Sequence, residues 1–474
     1  TDFNGNITRY GYDALGRRTV ITDALGFTTV YTYNAVGNLV AERGKDGAVR
    51  QYEYDALGRQ VREIDPLGRV TEYVYDAAGR QTEVRRPCFV CVGGVAISRT
   101  FYDTAGRIIE ERDPRDAVTR YTHDAVGRVA IMTDAYGYTR TTTYDPAGRV
   151  IQETDPLGAI TRYAYDLLGQ VITITNALGY QTFNVYDAVG RVIQTTNERG
   201  YTTTYVYDAN DRVVETWDAL NNVFRYTYDA GGRLLSVTDA LGRTTTYTYD
   251  ANGNRLTETN PRGHTTTYVY DALNRVVEVI EPAGCCGLGM RFTTYDAAGR
   301  VTQETDALGY TRVVTYDVAG RRSAERSPLG YTTVYTYDVA DNLVARQEPT
   351  GAVWHFEYDA NGNQTRQTDP LGHVYSTEYD LLNRAVREVD ALGAVTTRQY
   401  DGAGRVASQR DPRGATTRYT YDLLGRITQE TDPLGYTRII TYDGAGNRIA
   451  EQDARGFVTT YVYDALNREI AQTD

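Results

Sequence analysis

The sequence predicts an all-β protein: one continuous antiparallel meander of β-hairpins that must coil on itself. Three observations carry this reading. The segment Tyr-Asp-Ala-Leu-Gly-Arg at Tyr54 to Arg59 returns in recognisable form 22 times between Tyr12 and Tyr463, and 19 of the 21 intervals are 21 residues long. Each unit carries two turn signals, one opened by the Asp of the Tyr-Asp step, as at Asp55, and a second such as Asp65-Pro66-Leu67-Gly68. The segments between the turns are rich in Tyr, Thr and Val, the composition of strands. A period of this kind makes residues 1–474 a single array of 22 units, with longer loops near 86–99 and 281–292.

The turn chemistry defines the unit. Four residues after the first residue of each step stands Gly 17 times, Asn three times (Asn274, Asn383, Asn467) and Asp twice (Asp211, Asp341). These residues tolerate positive φ, so a left-handed residue is predicted there. In the second turn the fourth position is Gly in 19 units, with Phe89, Asp116 and Asn221 as exceptions, and all 12 prolines occupy the second position of a turn. A fixed φ near −65° at that position suits a type I turn followed by a left-handed bulge residue. Only Tyr33-Asn34 and His123-Asp124 depart from the step itself.

Two short strands per unit give about 44 strands in one ribbon, on the order of 210 Å long at ~4.8 Å per strand if laid flat. Open sheets rarely exceed ~10 strands without curling, so the accumulated twist must wind the ribbon. Alternation separates its faces. Of 42 tyrosines, 21 hold the step, 13 sit two residues before it and six sit six residues before it, which places nearly all of them on one face. A cross-strand packing ladder is preferred for that face over a carbohydrate-stacking platform. The arginines just after the first turn, among them Arg17, Arg59, Arg80, Arg107, Arg128 and Arg149, are placed to stack on tyrosine and to pair with turn carboxylates.

Composition narrows the function. Net charge is −12 with a pI near 5.0, which argues against a nucleic-acid surface, and no segment approaches the ~18 apolar residues of a membrane span. Lys45 is the only lysine. The four histidines (His123, His264, His355, His373) fall in different repeats, and no nucleophile elbow, phosphate loop or metal-ligand cluster appears. The runs Asp250 to Asn254 and Asp359 to Asn363 share the start of a calcium loop, but their glycine is misplaced, so they are read as turns. No enzyme activity, cofactor or metal is expected. Thr1-Asp2 and Thr473-Asp474 stand in the same phase of the repeat, so the sequence is expected to be an excerpt of a longer array.

The two irregular units carry the four cysteines, Cys88 and Cys91 in one and Cys285 and Cys286 in the other. Disulfides rank before a four-thiolate zinc site and before free thiols, with the connectivity open. The irregular units are nine repeats apart, so a coil of about 18 strands per turn would stack Cys91 near Cys286.

The unit, written Y-x-Y-D-A-x-G-R-V-x-x-x-T-D-x-x-G-x-x-T, resembles the YD repeat of the bacterial Rhs proteins, the C subunits of Tc toxins and the teneurins. The resemblance covers the whole chain. It implies a β-sheet ribbon spiralling into a hollow shell, which in the toxin members encloses a C-terminal toxic polypeptide; the matching stretch holds only repeats, without the shell-closing segment, plug or toxin domain. Three functions are expected from the repeats and the resemblance together. The first is a structural extracellular or cell-surface bacterial protein, a tube, shell or filament whose partners are further copies of the array. The second is a cage for an encapsulated polypeptide, and the third is an adhesin binding glycans.

Overall fold

The computed structural model describes residues 1–284 and 287–474, with the side chains of 283–288 left aside, so Cys285 and Cys286 lie outside the described residues. It is all-β: 44 strands, from Arg9–Tyr12 to Glu469–Thr473, in one antiparallel sheet, with a single 3-10 turn at Val92–Gly94 among the described residues. Each described pairing joins a strand to its neighbour in sequence, as in the run Val150–Thr154, Ile160–Tyr165, Val171–Thr175 and Gln181–Tyr186. Strands that end at a step tyrosine are typically six residues long, and those after the first turn five.

Local backbone geometry explains why the chain reverses every ten residues. In the first turn of one unit the Gly58 N–H donates to the Asp55 carbonyl (3.0 Å) and the Asp55 N–H to the Arg59 carbonyl (3.0 Å), a type I turn closed by a left-handed residue. The second turn repeats it at Asp65, with Gly68 and Arg69 in the same roles (2.9 and 3.0 Å). All 22 first-turn positions have positive φ, including Asp211, Asn274, Asp341, Asn383 and Asn467, whose φ lies between 61° and 68°. Asp116 and Asn221 adopt the same geometry in the second turn, at φ 60° and 61°. At the exception, Phe89, the positive φ moves along the enlarged loop to Gly93 and Gly94.

The two turns of a unit lead into different strand pairings. After the first turn the register shifts: Ala164 faces Thr173 but Tyr165 faces Val171, so Ile172 is an extra residue and the strand carries a β-bulge. After the second turn the pairing is regular, Thr154 facing Ile160 and Gln152 facing Arg162. In the described first-turn pairings one bulge stands beside the step residue, adding local twist at the same edge of the ribbon.

By contacts the chain divides into two compact units, residues 1–100, 228–237 and 243–374 in one and 101–227, 238–242 and 375–474 in the other. Neither is a single block of sequence. Within each, stretches of ribbon some 250 residues apart belong to one body, which is what winding requires. The sheet has little conventional core: among the described residues only Asp23, Cys88, Val314, Gly402 and Ile440 are buried. Along a strand such as Gln181–Tyr186 burial alternates, with the step tyrosine half-buried and the preceding Val185 exposed. The tyrosine face is thus the better covered one.

The turn geometry sets a test. Gly58, at φ 76° with only Asn38 side-chain atoms near a would-be Cβ, has space but the wrong backbone for a β-branched residue. Gly58→Val is expected to destabilise by about 1–3 kcal/mol, whereas Gly58→Asn, the residue found at Asn274 and Asn383, costs under about 1 kcal/mol. Chemical denaturation of both variants checks this; equal midpoints for the two would refute it.

Candidate functional site: the turn ladder, the seam and the Cys88 loop

The step aspartate organises its turn with both carboxylate oxygens. Asp55 Oδ1 accepts from the backbone N–H of Leu57 (2.9 Å) and of Arg59 (3.0 Å), while Oδ2 accepts from the Arg59 guanidinium at 2.7 Å. The Arg59 backbone N–H, then its side chain, hold the Asp55 carboxyl below its ordinary pKa. The same downward shift, with the arginine backbone N–H as the main cause, recurs at Asp13, Asp76, Asp124 and Asp187. Asparagine in place of the arginine keeps the bond from Asn254 to Asp250 (2.7 Å) and from Asn447 to Asp443 (2.8 Å).

The arginine then reaches the next repeat. Arg191 lies over the Tyr207 ring at 4.8 Å and donates to the Asp208 carbonyl at 3.4 Å. Arg128 covers Tyr144 at 4.3 Å, and Arg233 covers Tyr249 at 5.3 Å. The tyrosine hydroxyl reaches back: Tyr186 donates to the Val171 carbonyl at 2.9 Å, and Tyr207 to that of Val192 at 2.7 Å. Those carbonyls sit at the bulge, so each repeat repairs the interruption in the sheet of the one before it. Some tyrosines two residues before the step meet glutamates instead, as Tyr121 does Glu111 and Tyr163 does Glu153. Burial, then the hydrogen bond to Glu111, pushes Tyr121 up to about 12, and burial with Glu153 does the same to Tyr163. Because the Tyr144, Tyr207 and Tyr249 rings already carry a guanidinium on one face, the ladder leaves that face no room for a sugar.

A second set of contacts joins ribbon to ribbon within each unit. In one, Arg69 of a second turn bonds Asp341 of a first turn at 2.5 Å, and Arg300 pairs with Asp46 at 3.1 Å. In the other, Arg115 donates to the Asp380 carbonyl (2.6 Å) and to Asn383 Oδ1 (3.1 Å); Arg199 donates to the Asp464 carbonyl (2.8 Å) and to Asn467 Oδ1 (3.0 Å). Second turns of one pass therefore seat on first turns of the next. Where the left-handed residue is Asp341, Asn383 or Asn467 rather than Gly, its side chain accepts the incoming arginine. At two seats the alanine usual after the step aspartate is glycine: a Cβ on Gly402 would lie 2.5 Å from the Tyr138 ring, and one on Gly444 would lie 2.7 Å from Tyr180.

The seam sets the winding. Between the Tyr180 turn and the Gly444 turn lie 25 strands, from Gln181–Tyr186 to Thr437–Tyr442. Asn4 bonds Asp250 (2.7 Å) across the 23 strands from Arg9–Tyr12 to Thr244–Tyr249. The return is thus 23 to 25 strands at these contacts, and the stacking of Cys91 near Cys286 falls on residues outside those described. The first enlarged loop closes on itself. Cys88 and Cys91 are disulfide-bonded (S–S 1.96 Å), the Cys88 N–H donates to the Gly94 carbonyl (2.9 Å), and Cys88 is buried while Phe89 and Val92 are exposed.

The remaining singled-out residues are absorbed by the same scheme. His123 ends the strand Val118–His123 in the step position, and His373 follows the left-handed Gly372 of a second turn, with Nδ1 2.7 Å from Asp369. Asn252 bonds Asp2 at 2.7 Å, a seam contact in what the sequence offered as half a calcium loop. Lys45 pairs with the buried Asp23 at 2.7 Å. Among the described residues no group of three or more His, Cys, Asp or Glu is placed to hold a metal ion, and no helix is long and apolar enough to cross a membrane. The seam was invisible to sequence reasoning, although the rare Asn and Asp at left-handed positions and the rare Gly402 and Gly444 were its signals.

Two turns per repeat, a tyrosine–arginine ladder and a ribbon that seats on itself define a β-ribbon repeat protein. The model of the RHS repeat family matches fifteen stretches, among them 1–29, 33–70, 54–87, 102–139, 207–240, 358–396 and 442–474, together spanning most of the chain. The chain belongs to the RHS repeat family. No curated relative matches it. Among solved structures it is similar to TcdB2-TccC3 (TM-score 0.73, 16% identity, covering 97% of this chain and 33% of that one) and to TcdB2-TccC3 without its hypervariable C-terminal region (0.74, 15%, 97% and 35%). It is also similar to a Photorhabdus luminescens Tc holotoxin pore carrying a TccC3 mutation (0.53, 16%, 98% and 32%). The chain thus spans about a third of the length of these neighbours and shares their fold.

Two outcomes test this geometry. Step aspartates with folded-state pKa values below the ordinary carboxylate value add stability above about pH 4, and lose it as pH falls through the depressed values. The thermal midpoint is therefore expected to be flat from about pH 7 to 5 and to drop below about pH 4; a midpoint that rises in acid contradicts the assignment. At the seam, Gly402→Val is expected to cost about 1–3 kcal/mol, and less in a Tyr138→Ala background. Strict additivity in that double-mutant cycle would deny the contact.

Proposed function

We propose that this array is a section of wall in a hollow β-sheet shell of a secreted bacterial protein, and that the shell encloses a polypeptide. The observation that carries the reading is the seam: a ribbon of single-sheet thickness that seats turn on turn makes a continuous wall rather than a packed core. The repeats themselves are structural, since their polar groups are spent on turns, ladder and seam. The likeness in fold to TcdB2-TccC3 and to a Tc holotoxin supports enclosure of a polypeptide. The Cys88–Cys91 bridge suits an extracellular setting, where thiols stay oxidised. An open tube or filament is the second reading, favoured by the regularity of the 22 units.

Single-particle electron microscopy of the 474-residue chain tests the wall. Projections with an empty lumen bounded by one sheet, about 10 Å thick, are expected; solid particles or extended ribbons would overturn the shell. Enclosure is tested by fusing an unstructured, protease-sensitive segment after Asp474. Cleavage slowed by about tenfold or more relative to the free segment supports it, and equal rates leave only the wall.

A further inference from the structure

The polar contacts of the seam do not distinguish one repeat from the next. Arg115 donates to the Asp380 carbonyl and Arg199 to the Asp464 carbonyl in the same manner, four repeats apart. A ribbon whose turns recur every 21 residues could satisfy such contacts in any register, as a strand without a marked face can slip along its partner. The observed register therefore depends on a feature that changes from repeat to repeat. The residue that follows the step aspartate supplies it.

In the unit that holds residues 101–227 and 375–474, that residue is alternately large and small in four consecutive first turns: Leu381, Gly402, Leu423 and Gly444. Each stands between the fifth residue of one second turn and the second residue of the next. A Cβ on Gly444 would lie 2.7 Å from the Tyr180 ring and 3.1 Å from the Glu198 Cβ. Leu423, in the corresponding place, lines a cavity of about 340 Å³ together with Ala159 and Ala177. Gly402 meets Tyr138, whose ring atoms lie 2.5 to 3.1 Å from a Cβ built there. Neither glycine has positive φ, so space rather than backbone conformation calls for it. Leu381, whose N–H donates to the Tyr136 hydroxyl at 3.2 Å, stands opposite Ala117 and Ala135. In these four turns glycine is set against tyrosine and leucine against alanine. Tyr201 ends the alternation opposite Ala465, with the Arg199 guanidinium over its ring at 4.8 Å. In the other unit Arg69 donates to the Val339 carbonyl at 3.3 Å across the same two positions. Steps of one repeat from there set Ala48 opposite Val318 and Phe27 opposite Ala297, again small against large.

We infer that this inverse matching of size sets the register of the seam: Tyr138, Ala159 and Tyr180, with Gly402, Leu423 and Gly444, decide which turns meet. A slip of one repeat in either direction presses Tyr138 against Leu381 or Leu423, an overlap that only a shift of the backbone relieves. The same slip sets Ala159 against a glycine and leaves a void where leucine stood. The polar contacts are indifferent to the slip, so the size pairs alone separate the native winding from its neighbours. This inference concerns how the ribbon winds and stands whether or not a polypeptide is enclosed.

Photo-cross-linking reads the register in the full chain. A benzoyl-phenylalanine replaces Tyr136, an exposed residue whose hydroxyl meets the Leu381 N–H and whose ring lies 5.7 Å from the Arg384 guanidinium. Peptide mass spectrometry after irradiation is expected to find cross-links confined to residues 380–384. Moving the size pattern by one repeat, with Leu381→Gly, Gly402→Leu, Leu423→Gly and Gly444→Leu together, is expected to carry them to residues 401–405, while those at 380–384 fall by about tenfold or more. Cross-links that stay at 380–384 in this variant, or that spread over several repeats with the native pattern, overturn the inference. If the fourfold variant does not fold, Ala159→Tyr and Leu423→Gly decide the matter. Each alone is expected to lower the thermal midpoint, one by overlap and the other by a void, and the two together to recover most of the loss; strict additivity overturns the matching. Hollow particles whose cross-links ignore the shifted pattern would sink the inference and leave the proposed wall intact.

Discussion

The structure depends on an aspartate whose two carboxylate oxygens do different work. One oxygen takes two backbone N–H groups and fixes the turn; the other fixes the arginine that closes it, as at Asp55 and Arg59. The held arginine is then a rigid lid for the tyrosine of the next repeat, as Arg191 is for Tyr207 at 4.8 Å. That tyrosine in turn caps the carbonyl exposed by the bulge behind it. Each link is local and modest, of the order of 1 kcal/mol for a neutral hydrogen bond and somewhat more where charge assists. Their effect comes from repetition along one edge of the ribbon.

This arrangement replaces a core. A single sheet with five buried residues among those described cannot rely on packed side-chain volume. Its stability is close to a sum over repeats and their neighbours, as in other repeat proteins. The tyrosine serves this design because a large ring can be half-covered by the guanidinium of one neighbour while its hydroxyl bonds the backbone of the same neighbour. Val314 and Ile440, which stand where many repeats have tyrosine, are instead among the few residues buried outright.

The seam adds a second direction of order. Along the ribbon, contacts are between adjacent strands; across the seam, they join turns some 250 residues apart. The seats are marked by departures from the repeat, where Asn383 and Asn467 replace the commoner glycine and accept Arg115 and Arg199. Gly402 and Gly444 replace alanine to admit Tyr138 and Tyr180. The irregularities of the sequence are therefore concentrated where one pass meets the next, while the regular positions serve the hairpin.

By itself the sequence determined everything that is settled within a few residues. The type I turns, the left-handed residues at Asp211, Asn274 and Asp341, the two strands per unit, the tyrosine face and the stacking arginines all arise from interactions between near neighbours, which recur at a fixed period. The tertiary structure alone decided the winding. Each strand adds a small rotation set by twist and by one bulge per repeat. A slight change per strand, multiplied over 25 strands, moves the place of return, which for the Tyr180 turn falls at Gly444. The partner of Arg115, the space beside Gly402 and the pairing of Cys88 with Cys91 depend on where distant or enlarged segments come to rest, and no period of 21 residues specifies that.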